Sequence, residues 1–281
     1  MKFTGDLSRL VIMRRLAIAL FAVLPAYPQD ALEIVRKSLD RDIANFEHLK
    51  NYTYQQREED REYDKAGALK KTESETTEVL ILGGRPYEKR IARDDKPLSE
   101  KDARKEQEEM DKEVAKRSNL SESEKQKLEK RRLENRKFLR EIPDAFSFRL
   151  VGTEPVSGKP TWVIDATPKP GFRAKDIRAK ILSKMRGRIW VDQGEYQWVK
   201  VDAQVLDTIS LGLALFRISP GGRILFEQTR VNDEVWLPAH AQFHIDGRLG
   251  YIKTLHSEVE LNYSDYRKFQ TDSRIVASEP K

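Results

Sequence analysis

Two histidines four residues apart, His240 and His244, are the first residues of this 281-residue chain whose spacing could do chemistry. On a helix that spacing brings two imidazoles to one metal ion. Here Leu237, Ala239, Ala241, Phe243 and Ile245 alternate with Pro238, His240, Gln242, His244 and Asp246, the period of a strand. At about 3.3 Å per residue the two rings then stand about 13 Å apart, too far for one ion with bonds of about 2 Å. They read as solvated groups on a polar sheet face, or as the lining of a water-filled mouth. Carboxylate pairs are frequent, as a charged chain makes inevitable, and none lies in an apolar run that would raise a pKa for general-acid work. Glu58, Glu59 and Asp60 are interleaved with Arg57 and Arg61, which fits a screened edge or outer face. There is no Gly-x-Ser-x-Gly elbow, phosphate-cradling glycine loop or dinucleotide fingerprint. With no cysteine, thiol catalysis, disulfides and cysteine-ligated metals are excluded. The sequence points to no catalytic residue, cofactor or metal ligand, and a non-enzyme is expected.

The elements that would carry these residues fall into three textures. Asp30 can cap a helix in which Leu32, Val35, Leu39, Ile43 and Phe46 form one apolar stripe, so the helix needs a sheet to lie on. Residues 52–63, 72–82 and 85–93 read as an antiparallel meander turned at Gly83-Gly84. Residues 99–142 hold 14 Lys or Arg and 12 Asp or Glu, with Met110, Val114, Leu120, Leu128, Leu133, Phe138, Leu139 and Ile142 as sparse apolar anchors. Ser121 with Glu124 resembles a capping box that restarts the chain after Asn119, so a charged helical hairpin docked along one thin seam is expected. Strand texture returns at 146–153 and 161–167, followed by a short helix near 174–184. A hairpin then joins Arg188–Asp192 to Tyr196–Val205 through Gln193-Gly194-Glu195. Gly221-Gly222 and Asn232-Asp233 predict two further hairpins, and the last strands run from 236 to 246 and from 251 to 263. The expected fold is α+β: one strongly bent antiparallel sheet of about ten or eleven strands wrapped around helices.

Lys and Arg total 52 against 46 Asp and Glu, a formal net charge of +6, and half of that excess precedes the first apolar run. A nucleic-acid partner loses its support once that end is set aside. Leu16 to Ala26 follows Arg14 and Arg15 as the h-region of a secretory signal follows its n-region, and it is shorter than the roughly 20 residues of a membrane span. Residues 1–29 are therefore expected to be a signal peptide, with Met1 or Met13 as the start. Residues 30–270 would be the folded domain, interrupted by 99–142, and 271–281 a tail. The mature chain is expected to be periplasmic or secreted, without a transmembrane span.

Apolar material exceeds simple alternation. Val199, Val201, Ala203 and Val205 alternate with polar residues, and Ile209, Leu211, Leu213 and Leu215 fall on one side of a further strand, with Ala214 and Phe216 on the other. Two readings stay open: a strand buried on both faces, or a wall of a cavity for an apolar ligand. The cavity reading draws on Val199, Val201, Ile209, Leu211, Leu213, Leu237, Phe243, Ile245 and Leu261. Trp190 and Trp198, in facing strands of one hairpin, are expected to pack across it.

The order of these elements, with the hairpin RGRIWVDQGEYQWVKVDA, the segment VNDEVWLPAHAQFHIDG and a final strand leading to YSDYRKF, resembles the periplasmic lipoprotein-carrier superfamily. That superfamily includes the LolA and LolB carriers and the RseB-type envelope-stress sensors. The resemblance covers about residues 30–98 and 143–270 and leaves the charged insertion out. It implies an unclosed half-barrel of about eleven strands plugged by helices, binding lipid or lipoprotein acyl chains in lipoprotein sorting or lipid transport. The alternative is an envelope interaction or sensing module with a filled core, docking a protein partner through 99–142.

Overall fold

The computed structural model describes residues 30–211, 216–250 and 253–268, so the expected signal peptide, the tail and Leu213 lie outside the described residues. Helix α1 (Ala31–Leu49) starts where Asp30 accepts a hydrogen bond from the Leu32 amide. Strands β1 (Tyr52–Tyr63), β2 (Leu69–Leu82) and β3 (Arg85–Arg93) form the first meander, with a two-residue β4 (Lys96–Pro97) beyond it. Gly83 and Gly84 both take positive φ (55° and 74°), the left-handed pair that a two-residue hairpin needs. Then follow α2 (Glu100–Ser118) and α3 (Glu122–Glu134), the latter closed by the reciprocal capping box of Ser121 and Glu124. A 3-10 turn (Lys137–Glu141) and the short α4 (Ile142–Ala145) lead into β5 (Phe146–Val156) and β6 (Lys159–Pro168). After α5 (Ile177–Leu182) come β7 (Met185–Asp192), β8 (Trp198–Val205), β9 (Ile209–Leu211), β10 (Phe216–Ile218), β11 (Arg223–Val231), β12 (Val235–Leu249) and β13 (Lys253–Lys268).

All 13 strands belong to one antiparallel sheet, whose main path runs β4-β3-β2-β1-β13-β12-β11-β8-β7-β6-β5. Its two ends do not pair, so the barrel stays open. Eleven strands form this path, and β9 with β10 make a small flap on β12.

Three expectations about strands change. Residues 209–216 are not one strand, because Phe216 pairs antiparallel with Leu211. Gly221-Gly222 makes a turn but no hairpin, since β10 pairs with β9 and β12 while β11 pairs with β8 and β12. The strand expected to end at residue 246 continues to Leu249, with Gly247 inside it where β10 crosses so close that a Cβ would clash with the Arg217 carbonyl oxygen.

The core under α1 joins Ala31, Ile34 and Val35 to Trp162, Ile164 and Val191 of the sheet. Fully burying an aliphatic side chain contributes about 1.5–3 kcal/mol, so this contact anchors the helix. The buried row of α1 is not the expected stripe. It runs Ala31, Ile34, Val35, Ser38 and Asp42, leaving Leu32, Leu39, Ile43 and Phe46 half-buried beside it.

The hairpin of α2 and α3 has no buried residue, and Val114 and Leu133, two of its expected apolar anchors, are exposed. It docks through arginines instead. Arg117 donates to the carbonyls of Leu82, Arg85 and Pro86, and Arg132 donates to Glu47 of α1 at 2.8 Å. No helix among the described residues is long and apolar enough to cross a membrane.

Candidate functional site

Directly opposite residues of an antiparallel pair share a face, so a row can be followed across the whole sheet. On the face toward α1, one row reads Leu150, Ile164, Ile189, Val201, Phe226, Ala241 and Leu261, then Glu58, Glu75 and Arg93. The next row reads Phe148, Ala166, Gly187, Ala203 and Ile224. Its three central members carry a methyl group or nothing, while α1 passes over them with Val35, Ser38, Leu39 and Asp42. Small residues below and a short polar pair above leave the gap unfilled. The result is a cavity of about 410 Å³, walled by α1, β5 to β8 and Phe226, and closed on one side by Leu139 and Ile142. That volume lies within the range of small-molecule sites, about 300–1,000 Å³.

The polar groups of this cavity are few. Asp42, buried on α1, accepts from the Trp198 indole nitrogen at 2.9 Å and pairs with the Arg136 guanidinium. Arg136 also lies over the Phe46 ring, 4.2 Å from its centroid. The root of the charged insertion is thus part of the cavity wall. The sequence contained a signal for it: Ser38 and Asp42 interrupt the apolar face at i and i+4, which a helix on a solid core would not tolerate.

The expected cavity residues are scattered. Val201 lines the space with Ala203 and Trp198. Val199 packs on the outer face with Val163, Trp190 and Trp236, because a bulge between Trp190 and Val191 sets two residues of β8 against one of β7. The same bulge separates the tryptophans: Trp198 stacks on Phe226 inside at 5.1 Å, while Trp190 lies outside under Lys200. Ile209 packs with Met185 and Val205 in a cluster that borders the cavity through Met185, and Leu237 joins Tyr52 and Val235 near Leu49; neither Ile209 nor Leu237 itself lines the space. Phe243, Ile245 and Leu261 are half-buried on strands beyond the cavity. Leu211 belongs to β9, and nothing of its side chain is described. Sequence reasoning missed Phe146, Phe148, Ala166, Gly187 and Ile189, which come from strands it recognised but whose apolar residues do not stand out from ordinary core.

His240, His244 and, of the acidic run, Glu59 belong to a polar ladder on the outer face. Lys200 meets Glu227 at 2.8 Å, Glu227 and Glu260 flank His240 at 3.7 and 3.4 Å, and Glu260 meets Arg61 at 3.3 Å. Arg61, Glu59, Arg57 and Asp95 continue the chain, and His244 sits between Asp246 and Glu258. Arg57 hydrogen bonds hold Glu59 and Asp95 below the usual carboxylate range. Glu58 points to the other face. Partial desolvation on the sheet floor raises its pKa, and the neighbouring charges of Asp60, Glu75 and Glu88 add to the shift. Beside it Tyr54, pushed up to about 12 by burial, packs against Tyr263 and Tyr266 at 6.0 and 5.3 Å.

No family model matches the chain, and no curated protein matches it. Solved structures of similar shape exist. A DUF1329 family protein from Desulfovibrio piger is 12% identical, with 87% of this chain and 95% of that one covered and a TM-score of 0.35. An outer membrane lipoprotein-sorting protein domain from Vibrio parahaemolyticus is 13% identical over 86% of this chain and 95% of its own, with a TM-score of 0.34. A LolA superfamily protein from Nitrosomonas europaea is 9% identical over 85% and 94%, with a TM-score of 0.29. At such identities any function must be argued from the cavity itself.

Proposed function

We propose that this chain is a non-catalytic envelope protein that holds lipid or lipoprotein acyl chains in the cavity beneath α1. The observation that carries the reading is the 410 Å³ space with its aliphatic and aromatic walls. Moving each methylene out of water is worth about 0.8 kcal/mol, so such a space retains a hydrocarbon chain without any dedicated polar residue. Periplasmic or extracellular residence belongs to the same proposal and fits the apolar run after Arg14 and Arg15.

Native mass spectrometry of the protein purified from membranes is the test. Acyl species are expected to copurify with the wild type and to be absent from Ala203→Leu, which fills the hollow between β8 and α1. A wild type that carries no acyl species and takes up none from mixed lipid vesicles overturns the proposal. The interaction-module alternative is separated by deleting residues 100–131, since the insertion's root from Arg132 to Ile142 contacts α1 and the cavity. The lipid-holding reading expects the shortened protein to keep its acyl species.

A further inference from the structure

The outer face of the strands that floor the cavity carries an unusual concentration of arginine. Arg149, Asp165, Arg188 and Asp202 form one cross-strand row of alternating charge, with Arg188 on Asp165 at 2.7 Å and Arg149 on Asp165 at 2.8 Å. The next row is Arg186, Gln204 and Arg223, with no acid in it. Arg223 leans across to Asp202 at 2.5 Å, whereas Arg186 bonds the neutral amide oxygen of Gln204 at 2.7 Å. Four guanidinium groups thus surround an open groove of about 810 Å³ that holds two carboxylates, and three of the four bond them.

This groove and the apolar cavity are neighbours. Both are lined by Phe148, Ala166, Arg186 and Gly187, at the rim where β7 begins. The sheet is thin here, because Ala166 and Gly187 present almost no side chain to the inner face. Two arginines reach the cavity, and they differ. Arg136 is neutralised by Asp42, while among the described residues Arg186 has no carboxylate partner. An uncompensated guanidinium at the mouth of a hydrocarbon-lined space is suited to a planar or tetrahedral anion, which accepts two parallel hydrogen bonds from it.

We infer that the ligand is an anionic amphiphile whose chain occupies the cavity and whose phosphate or carboxylate head lies on the groove at Arg186, with Arg223 beside it. The inference rests on the acyl-chain reading above and adds the class of head group. The geometry assigns Arg186 the part of selecting charge and the cavity that of holding the chain.

Competition against a neutral fluorescent dye, phenylnaphthylamine, on the delipidated protein measures both parts. Dodecyl phosphate and dodecanoate are expected to bind about tenfold more tightly than dodecanol, the increment of one charge-assisted contact. Arg186→Gln combined with Arg223→Gln is expected to abolish that preference and leave dodecanol binding unchanged, with the circular dichroism spectrum intact. Equal binding of all three ligands by the wild type overturns the head-group site but leaves the acyl-chain reading standing. So does a preference that survives in the double variant. Inorganic phosphate binding as tightly as dodecyl phosphate, measured by calorimetry, overturns the link between groove and cavity. If none of the three amphiphiles binds, the acyl-chain reading fails, and this inference with it.

Discussion

The two halves of this sheet share one ladder of antiparallel hydrogen bonds but are held together differently. From β5 to β8 the face toward α1 is aliphatic and aromatic, and Ile164, Val191 and Trp162 are buried beneath the helix. From β13 to β3 the same row turns to Glu58, Glu75 and Arg93, the helix against its far end is the charged α2, whose Glu106 meets Arg90, and almost every residue of β1 is only half-buried. The outer face of that second half is tied by the run of ion pairs from Glu260 through Arg61, Glu59 and Arg57 to Asp95. Burial stabilises the first half and cross-strand electrostatics shape the second, so the two should answer differently to mutation, salt and pH.

The largest effect is expected in the packed half. Ile164 is fully buried, and Ile164→Ala should cost about 2–5 kcal/mol, read as a lower midpoint in urea with little dependence on salt. A loss well under that range would mean that the floor under α1 is already slack. Breaking the ladder should do much less. Arg61→Gln removes contacts to Glu59, Glu258 and Glu260 that remain partly open to water, so about 1 kcal/mol or less is expected, shrinking as ionic strength rises. A salt-independent loss as large as that of Ile164→Ala would erase the contrast between the halves.

The smallest effect is at Glu58, and it carries a sign. Its raised pKa means that the folded state binds the proton more readily than the unfolded chain does, so its ionised form opposes folding at neutral pH. Glu58→Gln should therefore raise the melting temperature slightly near pH 7. The gain should fade as pH falls from neutrality toward the ordinary glutamate range, where wild-type Glu58 becomes protonated. A gain that persists at acid pH would point to packing instead of charge.

Much of the architecture was legible because its causes are local. Asp30 and the Ser121–Glu124 box mark helix starts, Gly83-Gly84 and Asn232-Asp233 mark tight turns, and alternation in β8 and β12 marks strands. The cavity was far less legible. Alternation alone puts Val199 with Val201, but one bulge inverts it, and Leu237 fills a core with Tyr52 and Val235 because a buried residue can do that as readily as line a void. The residues of the hollow are unremarkable one by one: an alanine in β6, a glycine in β7, an alanine in β8.

What the chain's own order of residues determined is the set of elements, their caps and turns, and an antiparallel sheet needing a helix on its apolar side. What only the tertiary structure decided is where the interior is left unfilled. Register brings Ala166, Gly187 and Ala203 into one row, and α1 turns Ser38 and Asp42 toward them. A void is a property of volumes summed across strands distant in sequence, and no local pattern encodes that sum. The pairing of Asp42 with Arg136, 94 residues away, is decided at the same level, because only packing against α1 brings the root of the charged insertion to the cavity wall.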